Sequence, residues 1–159
     1  MDMFSEDNKE TIVVKGKRLL QGDIVNIYGE DYVGKTTECY NIIENNKEYS
    51  VMYFDTENSL YPKLEKMAEE IDVLYSNESN INNMLKMIDD TTEAIDYYII
   101  DSITAVNENN VMRLMELFNL IKKNKKNLIL VSQVRSINEK ISYDYEKLIN
   151  YYAYKFEKL

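Results

Sequence analysis

"GEDYVGKTTECY", residues 29–40, holds a glycine, four further residues and then Gly-Lys-Thr. Before it runs "DIVNIY" (23–28), β-branched and apolar, as a buried strand would be. After it, "KTTECYNIIE" (35–44) buries Cys39, Tyr40 and Ile43 on one side if it coils as a helix. Strand, glycine loop and helix therefore follow in order, the context that gives the spacing G-x-x-x-x-G-K-[ST] its meaning. Gly29, Glu30, Asp31, Tyr32, Val33, Gly34, Lys35, Thr36 and Thr37 form the candidate phosphate cradle. Glycines let the backbone wrap a phosphate so that several amides point inward, and the helix adds its positive end. Lys35 supplies charge for the β and γ oxygens, and Thr36 a hydroxyl for Mg²⁺.

Working outward, "TIVV" (11–14) reads as a short strand and "KGKRLLQG" (15–22) as a turn-rich connection. "YSVMYF" (49–54) is a strand, and "SLYPKLEKMAEEI" (59–71) a helix with Pro62 in its first turn, where a missing N–H is tolerated. "IDVLY" (71–75) reads as a strand and "NESNINNMLKMIDD" (77–90) as an amphipathic helix. "DYYII" (96–100) is a strand running into Asp101-Ser102. "NNVMRLMELFNLIKKNKK" (109–126) places Met112, Met115, Leu117, Phe118 and Ile121 on a broad apolar face and ends in lysines, which suit a helix C-terminus. "NLILVSQ" (127–133) is a strand; a polar loop, a short helix over 145–151 and a final alternating strand complete the chain. Strands alternating with helices predict an α/β domain whose mostly parallel sheet is covered on both faces. Ligands of such sheets gather at the carboxyl ends of the strands.

That rule directs attention to three further places. Asp101 closes an apolar strand, where an acid can complete the magnesium shell. Glu57, in "YFDTEN", is placed to orient an attacking water, with Asp55 competing for the role. Gln133 ends "LVSQ", and a neutral amide there can bond a γ-phosphate without adding charge.

The 159 residues suit one domain, with residues 1–10 read as a flexible tail. No apolar run approaches a membrane span, and the polar N-terminus lacks a signal-peptide pattern, so the expectation is a cytoplasmic protein, in a host cytoplasm if phage-encoded. Histidine is absent and Cys39 is the single cysteine, which excludes an internal disulfide and the usual zinc sites. A net charge of −9 argues against coating nucleic acid by bulk electrostatics, while leaving room for a local basic stripe.

Together these pieces resemble the core of the RecA-type recombinase ATPases. "LLQGDIVNIYGEDYVGKTT" is similar to the family's phosphate-loop stretch, "MYFDTENSLYPKL" to its water-activating strand, "YYIIDSITAV" to its magnesium-side strand, and "LILVSQVRSIN" to the strand whose glutamine couples nucleotide state to a DNA-binding loop. The resemblance spans about residues 18–138, and "KLINYYAYKFEKL" resembles the helix and strand that follow. It implies a RecA-like P-loop NTPase fold with a five-stranded core, in which the Gln133 strand lies between the phosphate-loop and Asp101 strands. It also implies an ATPase using ATP and Mg²⁺: Lys35, Glu57 and Gln133 catalytic, Thr36 and Asp101 on the metal. No guanine-reading N-K-x-D stretch is present. Tyr61 stands near the place of the family's adenine-stacking tyrosine, where Leu64 falls. The implied role is DNA recombination, repair or single-strand annealing as a homo-oligomer or filament. Single-stranded DNA would meet Arg135 and Lys140, with Lys15, Lys17 and Arg18 in support and Tyr143 and Tyr145 to stack bases. The family's first DNA-binding loop has no counterpart, because "TAVNENN" passes directly into a helix, and the second is reduced to residues 134–145. A nucleotide-dependent protein-assembly switch is the alternative, and a protein retaining only nucleotide binding a third.

Overall fold

A computed structural model describes residues 11–29, 34–57, 65–137, 140–142, 145–153 and 155–158. A two-stranded ribbon, β1 (Val13–Val14) and β2 (Lys17–Arg18), precedes the first core strand, β3 (Ile24–Gly29). Then follow α1 (Lys35–Asn45), β4 (Val51–Asp55), β5 (Val73–Ser76), α2 (Ile81–Thr91) and β6 (Tyr97–Asp101). A single turn (Ile103–Ala105) leads to α3 (Val111–Lys123) and β7 (Asn127–Gln133). The chain continues through β8 (Arg135–Ile137), β9 (Lys140–Ser142), α4 (Glu146–Tyr152) and β10 (Lys155–Lys158).

The main sheet has strand order β10-β3-β7-β6-β4-β5, every neighbouring pair parallel. β7 therefore lies between β3 and β6 as expected, and β10 extends the five strands from β3 to β5 into six. Strict alternation explains why the sheet is covered on both faces. Met52, Phe54, Tyr98, Ile100, Leu128 and Leu130 pack with α2, α3 and α4, while Val51, Tyr53, Tyr97, Ile99, Ile129 and Val131 pack with α1 and the first ribbon.

Several boundaries and faces differ from the sequence reading. The helix expected from residue 77 begins at Ile81, because the Asn80 side chain accepts bonds from the Asn82 and Asn83 amides and caps it there. Met112 is 71% exposed and Met115 37%, so neither joins the buried stripe of Leu114, Leu117, Phe118 and Ile121. Met112 lies two residues, about 200°, from Leu114 around the helix. The polar loop after β7 contains an antiparallel hairpin, β8 with β9. Of the helix expected over 59–71, residues 65–67 are helical and 58–64, with Tyr61, Pro62 and Leu64, lie outside the described residues. No described helix is long and apolar enough to cross a membrane.

Candidate functional site

Parallel register brings the carboxyl ends of four strands to one rim. Gly29 pairs with Gln133, Asp101 with Val131 and Asp55 with Asp101, so β3, β7, β6 and β4 finish side by side. Gly34 opens α1 at φ 86°, a left-handed conformation that β-carbon-bearing residues resist, although a side chain there would meet nothing within 4 Å. Backbone conformation, not crowding, is what requires glycine. Among the described residues no side chain caps α1, and the positive end of the helix faces the rim.

Lys35 is buried, 8% exposed, and its Nζ donates to the Gly29 carbonyl at 2.9 Å. The ammonium is thus folded back over the end of β3, where an incoming phosphate can take the place of one carbonyl acceptor. Thr36 Oγ1 donates to Asp101 Oδ2 at 3.0 Å, joining two residues 65 positions apart. Thr37 is exposed beside it. Glu30, Asp31, Tyr32 and Val33 lie outside the described residues.

Asp101 also accepts from Tyr53 OH at 2.6 Å on the same oxygen. Burial pushes its carboxyl above the usual range; the bonds from Tyr53 and Thr36 and the charge of Lys35 pull the other way, and the charge of Asp55 adds to the rise. Asp55 is fully buried and accepts from Tyr75 OH at 3.0 Å. With its carboxylate engaged beneath the rim, Asp55 is less free to meet a water than Glu57, which is exposed and accepts from Gln133 Nε2 at 3.0 Å. Glu57 and Gln133, 76 residues apart, therefore stand together. Thr56 holds the base of this corner, its Oγ1 donating to the Ser102 carbonyl at 2.9 Å and accepting from the Ser102 amide at 2.8 Å.

A hydroxyl from Thr36 and a carboxylate from Asp101 are hard oxygen donors, which fits Mg²⁺ held by few protein groups together with phosphates. Among the described residues no group of three or more acids, cysteines or histidines gathers into a complete metal cage. Sequence reasoning missed Tyr53 and Thr56. The signal for Tyr53 was present in strand alternation, which puts it two residues before Asp55 on the face that also carries Asp101.

Arg135 and Lys140 fall on β8 and β9, whose backbone alone is described, and Tyr143 lies outside the described residues. Tyr145 is used internally: its ring packs on the core and its OH donates to the Asn109 carbonyl at 3.1 Å, a correction to its expected role in stacking bases.

Sheet and rim together define an α/β protein compatible with a Rossmann- or P-loop-like fold. No protein-family model matches the chain, and no curated protein matches it.

Proposed function

We propose that the chain is a RecA-like, magnesium-dependent ATPase. The carrying observation is the bond between Thr36 and Asp101, which unites the motif after β3 with the acid ending β6 in the donor pair a magnesium-nucleotide needs. Gly34 and the first amides of α1 would hold phosphate oxygens, with Lys35 exchanging its bond to Gly29 for one to the β and γ oxygens. Thr36 and Asp101 would hold Mg²⁺, which when bound neutralises charge on the phosphates. Glu57 is the group to orient the attacking water, and the Gln133 amide keeps its carboxylate in place until a phosphate competes for that amide. Preference for ATP over GTP follows from the family resemblance.

In this reading the protein acts in DNA recombination, repair or single-strand annealing as an oligomer. The strand order and the Glu57–Gln133 contact support it, since Gln133 leads directly into the β8–β9 hairpin that carries Arg135 and Lys140. The alternative, an ATP-dependent assembly protein that ignores DNA, is favoured by the exposure of Met112 and of Tyr151 (81%), since such groups suit protein contacts. ATP hydrolysis measured with and without single-stranded DNA, at low and moderate salt, separates the two. Stimulation that falls steeply with salt supports the DNA reading; hydrolysis indifferent to DNA supports assembly.

A further inference from the structure

Two carboxylates end adjacent strands, for Asp55 on β4 pairs with Asp101 on β6. Strand alternation puts both on the face of the sheet that α1 covers, with Tyr53, Tyr97 and Ile99. Each acid is met by a tyrosine in the same way. Tyr75 on β5 pairs with Tyr53 on β4, and Tyr53 pairs with Ile99 on β6. Tyr75 OH donates to Asp55 Oδ2 at 3.0 Å, and Tyr53 OH donates to Asp101 Oδ2 at 2.6 Å. Each phenol therefore reaches one strand across and two residues toward the rim, a diagonal within the span of an aromatic side chain. The steps run inward from β5, the outermost strand, and end at Thr36, whose Oγ1 donates to the same Asp101 oxygen at 3.0 Å.

A buried tyrosine usually finds a partner for its hydroxyl, and a nearby acid is an ordinary one. Three observations go further at Tyr53. Its ring is fully buried among apolar side chains that include Val51, Ile99 and Val131, where a phenylalanine would fill the same space without a hydroxyl to desolvate. Nor does this core supply every phenol with a partner: Tyr97, on the same face and equally buried, has a hydroxyl with no hydrogen-bond partner among the described residues. Finally, both bonds to the Asp101 carboxylate fall on Oδ2, one from β4 and one from α1. That oxygen is fixed between a strand and a helix, while Oδ1 accepts from no side chain or backbone amide among the described residues.

We propose that Tyr53 is a positioning residue for the magnesium site, acting through Asp101: its hydroxyl holds Oδ2 beside Thr36 and leaves Oδ1 to serve the metal's shell. The role rests on the reading of Thr36 and Asp101 as the groups that hold Mg²⁺. Partners that orient a metal's carboxylate from behind are worth roughly 10- to 100-fold in metal affinity. Tyr75 makes the same kind of bond one strand farther out, to Asp55, and so provides a matched comparison.

The experiment titrates ATP by calorimetry, with and without Mg²⁺, into the full chain and into Tyr53→Phe, Tyr75→Phe and Asp101→Asn. Tyr53→Phe should lower the magnesium-dependent affinity by roughly 10-fold or more, while the metal-free affinity stays within about threefold. Tyr75→Phe should keep the magnesium gain, although each tyrosine variant loses a bond to a carboxylate and should melt a few degrees below the unaltered chain. A Tyr53 that is merely structural would lower Tm and leave the gap between the two titrations unchanged; that result overturns the proposal, as does an equal loss of the magnesium gain in Tyr75→Phe. Asp101→Asn separates the proposal from the reading beneath it. A gain lost in Asp101→Asn and kept in Tyr53→Phe refutes the positioning role alone, whereas a gain kept in Asp101→Asn, or absent from the unaltered chain, refutes the metal site and the positioning role with it.

Discussion

Asp101→Asn is the substitution that separates the cost of building the rim from its use. Asparagine keeps the shape and an oxygen that can accept from Tyr53 and Thr36, so both bonds, at 2.6 and 3.0 Å, can persist. What it removes is a carboxylate whose charge is disfavoured by burial and by Asp55 in the neighbouring strand. Because the folded-state pKa of Asp101 is raised, its ionisation costs stability above that pKa, and the cost disappears as pH falls through it. The variant should therefore melt above the wild type at neutral pH, with the difference shrinking toward acidic pH. Nucleotide binding should change in the opposite direction. Loss of an acid that holds a magnesium ion's shell weakens metal-dependent affinity by roughly 10- to 100-fold, about 1.4–2.8 kcal/mol, while metal-free affinity changes little. Calorimetric titration of ATP with and without Mg²⁺, beside thermal melts from pH 4 to 8, measures both effects. An unchanged magnesium-dependent gain would remove Asp101 from the metal site, and a lower melting temperature at neutral pH would refute the reading of its burial.

Glu57→Gln should leave nucleotide affinity within about threefold and lower turnover by roughly 10²- to 10⁴-fold, the usual worth of a positioned general base, as measured by single-turnover hydrolysis. Normal turnover would direct attention to Asp55. Gln133→Ala, which frees the Glu57 carboxylate from its partner, should reduce turnover without abolishing it and alter any dependence on DNA; unchanged kinetics would dissociate Gln133 from the site. Cys39 is buried, and burial first, then the charge of Asp101, pushes its thiol well above the usual value. A thiol reagent should label it only when α1 opens, and saturating magnesium-nucleotide should slow labelling by roughly 100-fold at 100 times Kd. Rapid labelling of the native chain would show that this face is not closed.

The parallel sheet was legible because its strands are short apolar runs bounded by polar residues, and β7 begins and ends where the sequence placed it, at Asn127 and Gln133. The position of the candidates was legible for a related reason: ligands of such sheets gather at the carboxyl ends of the strands, so Asp101 and Gln133, which close β6 and β7, and Glu57, two residues past β4, could be named from position alone. Contacts that depend on the third dimension were not. Tyr53 reads as a core aromatic, and only the register of β4 with β6 brings its hydroxyl to Asp101. The hairpin after β7 pairs Arg135 with Ser142, Ser136 with Ile141 and Ile137 with Lys140, three residues a side with one isoleucine each, too short for an apolar alternation to be read. In the stretch before α2, Ser76, Asn77, Ser79 and Asn80 are all competent caps; Asn80 prevails where it also bridges to Asn107. Lys125 carries no sequence signal of strain, since its left-handed backbone follows from how α3 closes against the loop at Gly22, whose amide bonds the Lys126 carbonyl.

The central claim is that Gly34, Lys35, Thr36 and Asp101 close around a magnesium-bound triphosphate. Thermal melts of the wild type and of Lys35→Ala with Mg²⁺ and ATP test it most directly. At 100 times Kd the ligand should stabilise the wild type by about 2.7 kcal/mol, roughly 5–10 °C in Tm, and lose most of that effect without Mg²⁺. Lys35→Ala should show no shift at the same concentration. A wild-type chain whose melting temperature does not move with any magnesium-nucleotide, or a Lys35→Ala variant that shifts equally, would contradict the account.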